Sequence, residues 1–520
     1  MSANGRDRLL AALALAGVGT GALLTALGLV ALPAGASPIS KHAPLVAWLF
    51  AAFVLVAVAA QRWPLLSVPK VLVVLLTALA LATGQVAAFG LVLVLLLSAA
   101  CAGRLVLPRR FAASSELDRV LVGLAVFGTL VGATAHWPVL YRGTFAALLV
   151  LPLGLGFRHL RTMLGRLGHW FTDAAPGPLR TRLIEAAFAA VAAPLLLIAL
   201  MPERGHDALA FHLLVPQWVA AHQQWSFDVE RYVWAVMPML GDWLYCFGVV
   251  LDGETAARLV HVACLLLVTR LVFELARWTG AGPNGARLAA VLFASTPLVF
   301  AEASSLFVDS VWTALVLGGA FAVLRASAAA PFAAAPRDLV LAGVLLGGAL
   351  AAKAVTFMVL PVLALVLLLR WRSWLGKERL PALAAGAAAF TLVGAVPYAR
   401  AFVLTGNPVF PFFNGVFRSP LYPSEDFQAP SVFDRGMGVD VLHRITFDSS
   451  RFLEGLPGAS GFQWLLLVGP ALLVLLVARQ WRALAVWSIA AASAFTTFQQ
   501  TAYLRYVLPA FALAAASLGA

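Results

Sequence analysis

An apolar run of the chain ends near Met201, and a carboxylate, Asp207, follows about six residues later. An ionised carboxylate at such a boundary, partly shielded from water, can take the proton of a hydroxyl as that hydroxyl attacks a donor lying in the membrane. The same residue could instead cap a helix starting at Ala208. It opens a polar stretch, 201–261, in which Glu203, Asp228, Glu230, Asp242, Asp252 and Glu254 stand against only Arg204, Arg231 and Arg258. A second acid, Asp309, heads an apolar run, with Glu302 seven residues before it. Acids at that depth are costly unless they face a cavity or a partner, although a helix cap would also explain Asp309. Lys353 lies within LGGALAAKAVTFMVL, where a cation must pair or snorkel. Arg505, in QQTAYLRYVLPA, offers a planar fork suited to phosphate oxygens, or a simple interfacial anchor. His206, His212 and His222 match no helix-face ligand pair, so a divalent metal is allowed by the sequence and not required by it.

The elements that position these groups follow from composition. Of 520 residues, 62% are apolar and 11% charged, against about 25% charged in soluble domains. Lipid is the solvent that accepts so much apolar surface, and the runs are Leu- and Ala-rich without the alternation of a membrane barrel. The expected class is therefore an all-α polytopic transmembrane bundle. The net charge of +13 does not point to nucleic acid, because the arginines sit in short loops between apolar runs and form no basic face. Cys101, Cys246 and Cys264 show neither metal-ligand spacing nor a disulfide framework. The first apolar run is too long for a signal-peptide core and reads as a retained span.

Apolar runs fall at 9–33, 44–60, 68–85, 86–103, 119–135, 143–157, 183–201, 255–276, 286–302, 309–326, 339–352, 355–369, 381–399, 463–478, 483–499 and 506–520, roughly sixteen spans. With Arg6 and Arg8 inside, every second loop is basic: Arg62, then Arg104 to Arg119, Arg158 to Arg182, Arg277 and Arg287, Arg325 and Arg337, Arg370 to Arg379, and Arg479 with Arg482. Two long loops, 202–254 and 400–462, then face outward. Apolar pieces of the first, with Trp218, Trp225, Trp234, Trp243 and Tyr245, suit the membrane interface. The second carries Pro408, Pro411, Pro420, Pro423 and Pro430 and should be largely irregular. The basic loop 158–182 divides the chain into an accessory bundle of about six spans, 1–182, and a functional module, 183–520.

Taken in order, HDALAFHLLVP around Asp207, FASTPLVFAEASSLFVDS ending near Asp309, GVLLGGALAAKAVTFMVLP around Lys353, LTGNPVFPFFNGVFRSP from Leu404 and LRYVLPA with Arg505 resemble the GT-C class of polytopic glycosyltransferases. The likeness, over about 183–520, is to the bacterial proteins grouped with the dolichyl-phosphate-mannose protein mannosyltransferases. It implies an integral-membrane glycosyltransferase with a polyprenyl-phosphate-linked sugar donor, a lipid, glycan or protein acceptor, an inverting mechanism, and an active site on the outer face of a bacterial plasma membrane. In that class the first outer loop carries the catalytic acid, which falls on Asp207, and a later outer loop a further acid, which falls on Asp309. His212, Lys353, Asn407 and Arg505 are then the substrate contacts. Where a paired acidic motif would be met in the first loop, His206 precedes Asp207, which leaves metal dependence open. A transporter or lipid-linked glycan flippase is the rival class, since it too would hold charges within helices.

Overall fold

A computed structural model describes residues 68–107, 115–172, 177–328, 335–369, 380–427, 436–452 and 458–520, with scattered positions before 68. The runs 9–33 and 44–60, apart from those positions, lie outside the described residues. So do Arg6, Arg8, Arg62, Arg109, Arg110, Pro430 and the basic loop 370–379. The described chain is all helical, without a strand. Every apolar run from 68 onward becomes a helix or a bent helix pair.

The order is α1 (Val68–Ala82), α2 (Val86–Val106), α3 (Glu116–Thr134), α4 (Arg142–Leu155), α5 (Phe157–Thr172) and α6 (Leu179–Ala199). Next come α7 (Leu214–His222), α8 (Leu240–Leu251), α9 (Glu254–Thr279), α10 (Pro283–Ala294), α11 (Pro297–Ala303), α12 (Asp309–Ala328), α13 (Ala335–Ala352), α14 (Thr356–Leu368) and α15 (Leu380–Thr405). Short α16 (Asn414–Phe417) and α17 (Val441–Phe447) precede α18 (Phe462–Val477), α19 (Trp481–Gln500) and α20 (Leu508–Leu518). Among the described residues six helices are long and apolar enough to cross a membrane, or up to eight if each bent pair is one span. The bend of 59° between α10 and α11 falls at Pro297, which takes the first helical position of α11, where a missing N–H costs nothing.

One apolar core joins helices from both sides of the 158–182 loop, running from Ala88, Leu121 and Phe145 through Phe247 and Trp312 to Phe511. Small residues set the closest approaches. A Cβ at Gly343 of α13 would meet the Gly386 carbonyl oxygen of α15 at 2.1 Å, and one at Gly347 would meet that of Phe390 at 2.6 Å. Backbone contact of this kind is how helices associate where burial from water contributes little.

The two long loops differ from expectation in how much ordered helix they hold. Residues 202–254 contain a π turn (Ala208–His212), α7, a 3₁₀ turn (Val233–Val236) and α8. α8 is packed in the protein core: Tyr245 and Phe247 are fully buried and Trp243 nearly so, as is Trp225 in the segment before it. Room for it comes from Gly128 and Gly132 on α3, where a Cβ would meet Leu240 at 2.5 Å and Trp243 at 2.8 Å. The apolar run 234–250 thus divides into a 3₁₀ turn and a core helix, α8, too short to span.

Ion pairs gather at both ends of the bundle. At one end Arg325, in the last turn of α12, meets Asp118 of α3 at 3.3 Å and Asp338 of α13 at 3.2 Å. Asp118 also closes a capping box with Ser115. At the other end α12 begins with Asp309 and α13 runs out at Lys353.

Candidate functional site

Asp207 is held by its neighbours before it is used. Glu203, four residues earlier, is buried, and its carboxylate accepts from the backbone N–H of Arg204, Gly205 and Leu306, from the Ser305 hydroxyl, and from Arg258 of α9 at 2.6 Å. One buried acid therefore ties the 203–207 loop to the 304–308 loop. Asp207 then stands at the start of the π turn, yet its side chain makes no capping hydrogen bond. Its Oδ2 instead accepts from Arg505 Nη2 at 2.6 Å. The capping alternative is thereby removed for Asp207.

Asp309 and Lys353 come from helix ends that the core aligns. Both oxygens of Asp309 accept from Lys353 Nζ, at 2.6 and 2.7 Å, in the break between α13 and α14. That break is fixed by Thr356, whose hydroxyl donates back to the Lys353 carbonyl and accepts from Trp312 Nε1 at 2.8 Å. The loop before Asp309 is pinned from beneath. Tyr245 donates to the Phe307 carbonyl, Ser310 bonds His261 Nδ1 at 2.8 Å, and His261 Nε2–H donates to the Glu302 carbonyl at 2.9 Å.

Arg505, in the 3₁₀ turn Leu504–Val507, completes the group. Its Nε lies 4.0 Å from Asp309 Oδ2 while Nη2 holds Asp207. The guanidinium rests over Phe307 at 4.6 Å, and Tyr506 places its ring 4.1 Å from Lys353 Nζ. The fold thus links Asp207, Arg505, Asp309 and Lys353 in one alternating chain of charge. The four are unequally exposed: the Asp207 side chain is 42% exposed and that of Asp309 is sealed at 0%. Burial alone would push the Asp207 carboxyl up. The charge and hydrogen bond of Arg505, the charge of His212 and a bond from His206 outweigh it and hold the group below its ordinary value. Asp207 is therefore an accessible carboxylate that stays ionised, whereas Asp309 is an internal counter-ion.

Neither His212 nor Asn407 is hydrogen-bonded to the four charged residues. His212 Nδ1 is 2.8 Å from Oδ1 of Asp242, a fully buried acid on α8. Asn407 is buried in its own loop: its amide donates to the Phe412 carbonyl and to Asn414, and its Oδ1 accepts from the Val409 N–H. It makes no hydrogen bond to the charged group. Asp242, Glu203 and Arg258 stood in the sequence reading only as members of the charged stretch 201–261, without a role of their own. Among them only the count of acids in 201–261 carried a signal.

A narrow apolar cleft lies between α3, α8, α13 and α15. Trp243 and Ala351, near neighbours of Asp242 and Lys353, line it together with Met239 and Val393, and Arg400 and His136 stand in its wall. Burial first, and then the Arg400 charge, lower His136 to about 4 against the bond to the Trp225 carbonyl, so it is neutral at physiological pH. Among the described residues no three His, Cys, Asp or Glu side chains gather as metal ligands. The oxygens of Asp207 and Asp309 face cations.

Residues 236–398 match the family model of dolichyl-phosphate-mannose-protein mannosyltransferase. The matched segment contains Asp242, Asp309 and Lys353, and the fold brings Asp207 and Arg505 to it from outside. No curated protein and no solved structure matches the chain. With the helical bundle, the family match supports a membrane glycosyltransferase of the GT-C type.

Proposed function

We propose, with that likeness as the premise, that the chain moves a sugar from a polyprenyl-phosphate donor to a hydroxyl of a lipid, glycan or protein acceptor, at the outer face of a bacterial plasma membrane. The observation that supports this best is the 2.6 Å contact of Arg505 with Asp207 beside the Asp309–Lys353 pair. A base for the acceptor and two cations for a phosphate stand within one cluster.

In this reading the acceptor oxygen bonds the anomeric carbon as the bond from that carbon to the phosphate oxygen breaks, its electron pair leaving with the phosphate. The attack comes from the opposite face, so the configuration inverts. Asp207 takes the acceptor proton. Arg505 and Lys353 meet the charge that develops on the departing phosphate. Asp309 keeps both cations at that place, which makes it a positioning residue. Asn407 contributes by shaping the 407–423 loop, whose Phe412 joins Trp234 and Phe427 in an aromatic cluster beside the site. The sidedness rests on the arginine bias of the opposite loops. A cysteine label at exposed Ser226 should react with an impermeant reagent in intact cells, and protection there would reverse the assigned face.

The test is transfer of labelled sugar from polyprenyl phosphate by the purified chain in nanodiscs. Release of free polyprenyl phosphate with formation of glycosylated acceptor supports the reading. Movement of intact donor across proteoliposomes without its consumption would make the protein a flippase.

A further inference from the structure

His212 and Asp242 form a pair that the transfer step above does not use. Asp242 is fully buried on α8, and its Oδ1 lies 2.8 Å from His212 Nδ1, so one proton is shared between the two. When Asp242 is ionised it can only accept, and His212 Nδ1 then carries that proton. The other nitrogen, Nε2, makes no hydrogen bond among the described residues, and neither does Asp242 Oδ2. A buried carboxylate with one oxygen bare is costly, and nothing in the packing requires it.

The backbone gives this pair its direction. Residues Ala208–His212 form a π turn, closed by the Leu213 N–H on the Ala208 carbonyl at 2.7 Å. In an α-helix of 3.6 residues per turn, a side chain five positions on points well round the cylinder. The wider π turn, with its i→i+5 bonding, brings it back above the first, and such turns recur at functional sites. The turn therefore brings His212 round, one turn on, to the side of the helix from which Asp207 projects. The groups facing the pair are Asp207 with Arg505 from the loops, Tyr232 from the segment before α8, and Lys353 from the end of α13.

We propose that His212 is the proton carrier behind Asp207, and that Asp242 is the residue that fixes and stabilises it. The role rests on the reading of Asp207 as base. Asp207 takes the acceptor proton, and Arg505 keeps it a weak base that must release that proton before another turnover. The proton passes from the Asp207 carboxyl to His212 Nε2, giving an imidazolium paired with ionised Asp242 and a restored Asp207 carboxylate. The imidazolium then loses the proton to water. No bond other than O–H and N–H changes. Imidazole suits the task because it gains and loses protons near neutral pH.

The experiment measures kcat against pH for the full chain in nanodiscs, with labelled polyprenyl-phosphate sugar, for wild type, His212→Gln and Asp242→Asn. A ¹⁵N-histidine NMR titration of the same samples without donor accompanies it. The Gln side chain can still bond Asp242 but cannot carry a proton. His212→Gln should lose roughly ten- to hundredfold in kcat and lose the acid-side fall of the profile. Asp242→Asn should move that fall, and the His212 ¹⁵N midpoint, to lower pH, because the anion that favours imidazolium is gone. An equal loss of kcat at every pH in His212→Gln, or an unmoved ¹⁵N midpoint in Asp242→Asn with transfer intact, overturns the carrier role. A wild-type protein that transfers no sugar would instead remove the enzyme reading, and the carrier role with it.

Discussion

The two ends of the bundle both hold acids and arginines, and they use them differently. At the Arg325 end the charges are redundant. Arg325 has both Asp118 and Asp338, Asp338 also has Arg337 at 3.5 Å, and Glu116 meets Arg119, His159 and Arg166. Asp118 completes a helix cap. At the Asp207 end an acid stands at the start of a helical turn and leaves the cap unmade. It keeps a side chain 42% exposed and holds an arginine whose Nε lies 4.0 Å from a second acid. Ion pairs that only fasten helices fill their caps and double their partners. A site leaves one charged group accessible and over-determines everything behind it, as Glu203 and the His261 bonds do here.

Substitutions can break this contrast. The largest effect should come from Asp207→Asn, which keeps size and removes the base. Sugar transfer should fall by roughly 10²–10⁴-fold in a protein that still folds and unfolds cooperatively, and activity near wild type would leave Asp207 a mere partner of Arg505. Next is Asp309→Ala, which strands Lys353 and should cost about 3–5 kcal/mol in stability. The double change Asp309→Leu with Lys353→Met should recover most of that stability, read by denaturation, without recovering transfer. Arg505→Lys keeps charge but loses the fork. Donor affinity in nanodiscs should weaken about ten- to hundredfold, the equivalent of a charged hydrogen bond of roughly 1.5–3 kcal/mol, and Arg505→Ala should weaken it more. At the far end Ser115→Ala should cost about 1 kcal/mol and leave transfer untouched.

The smallest expected effect is the pH dependence of the Asp207–Arg505 pair. Because the folded carboxyl is held below its ordinary value, the pair stabilises the protein above the ordinary carboxylate range and is lost as pH falls through the lowered value. The difference in Tm between wild type and Asp207→Asn should therefore be present at neutral pH and vanish in acid. A difference that grew on acidification would contradict the assigned sign.

Much of this was legible in the sequence. The helical runs could be read because lipid demands long apolar segments; Asp309, Lys353 and Arg505 stood out because charge is scarce beside them, and Asp207 because it follows the end of an apolar run. Their meeting was not legible, since Arg505 lies 298 positions from Asp207 and nothing local records that separation. The core position of α8 was hidden because a short apolar run with tryptophans looks the same at an interface as in a core, and only Gly128 and Gly132 decide it. The His212–Asp242 pair depends on a π turn, which leaves no periodic trace in five residues. Asn407 carried a family likeness, and its bonds show a residue that folds its own loop.

The most direct measurement is the structure of the Asp207→Asn protein in nanodiscs with polyprenyl-phosphate sugar bound. The phosphate should lie against Arg505 and Lys353, with the anomeric carbon facing position 207. A phosphate bound among Arg325, Arg337 and Arg119 at the opposite end, with the Asp207 end unchanged, would contradict the assignment of the site.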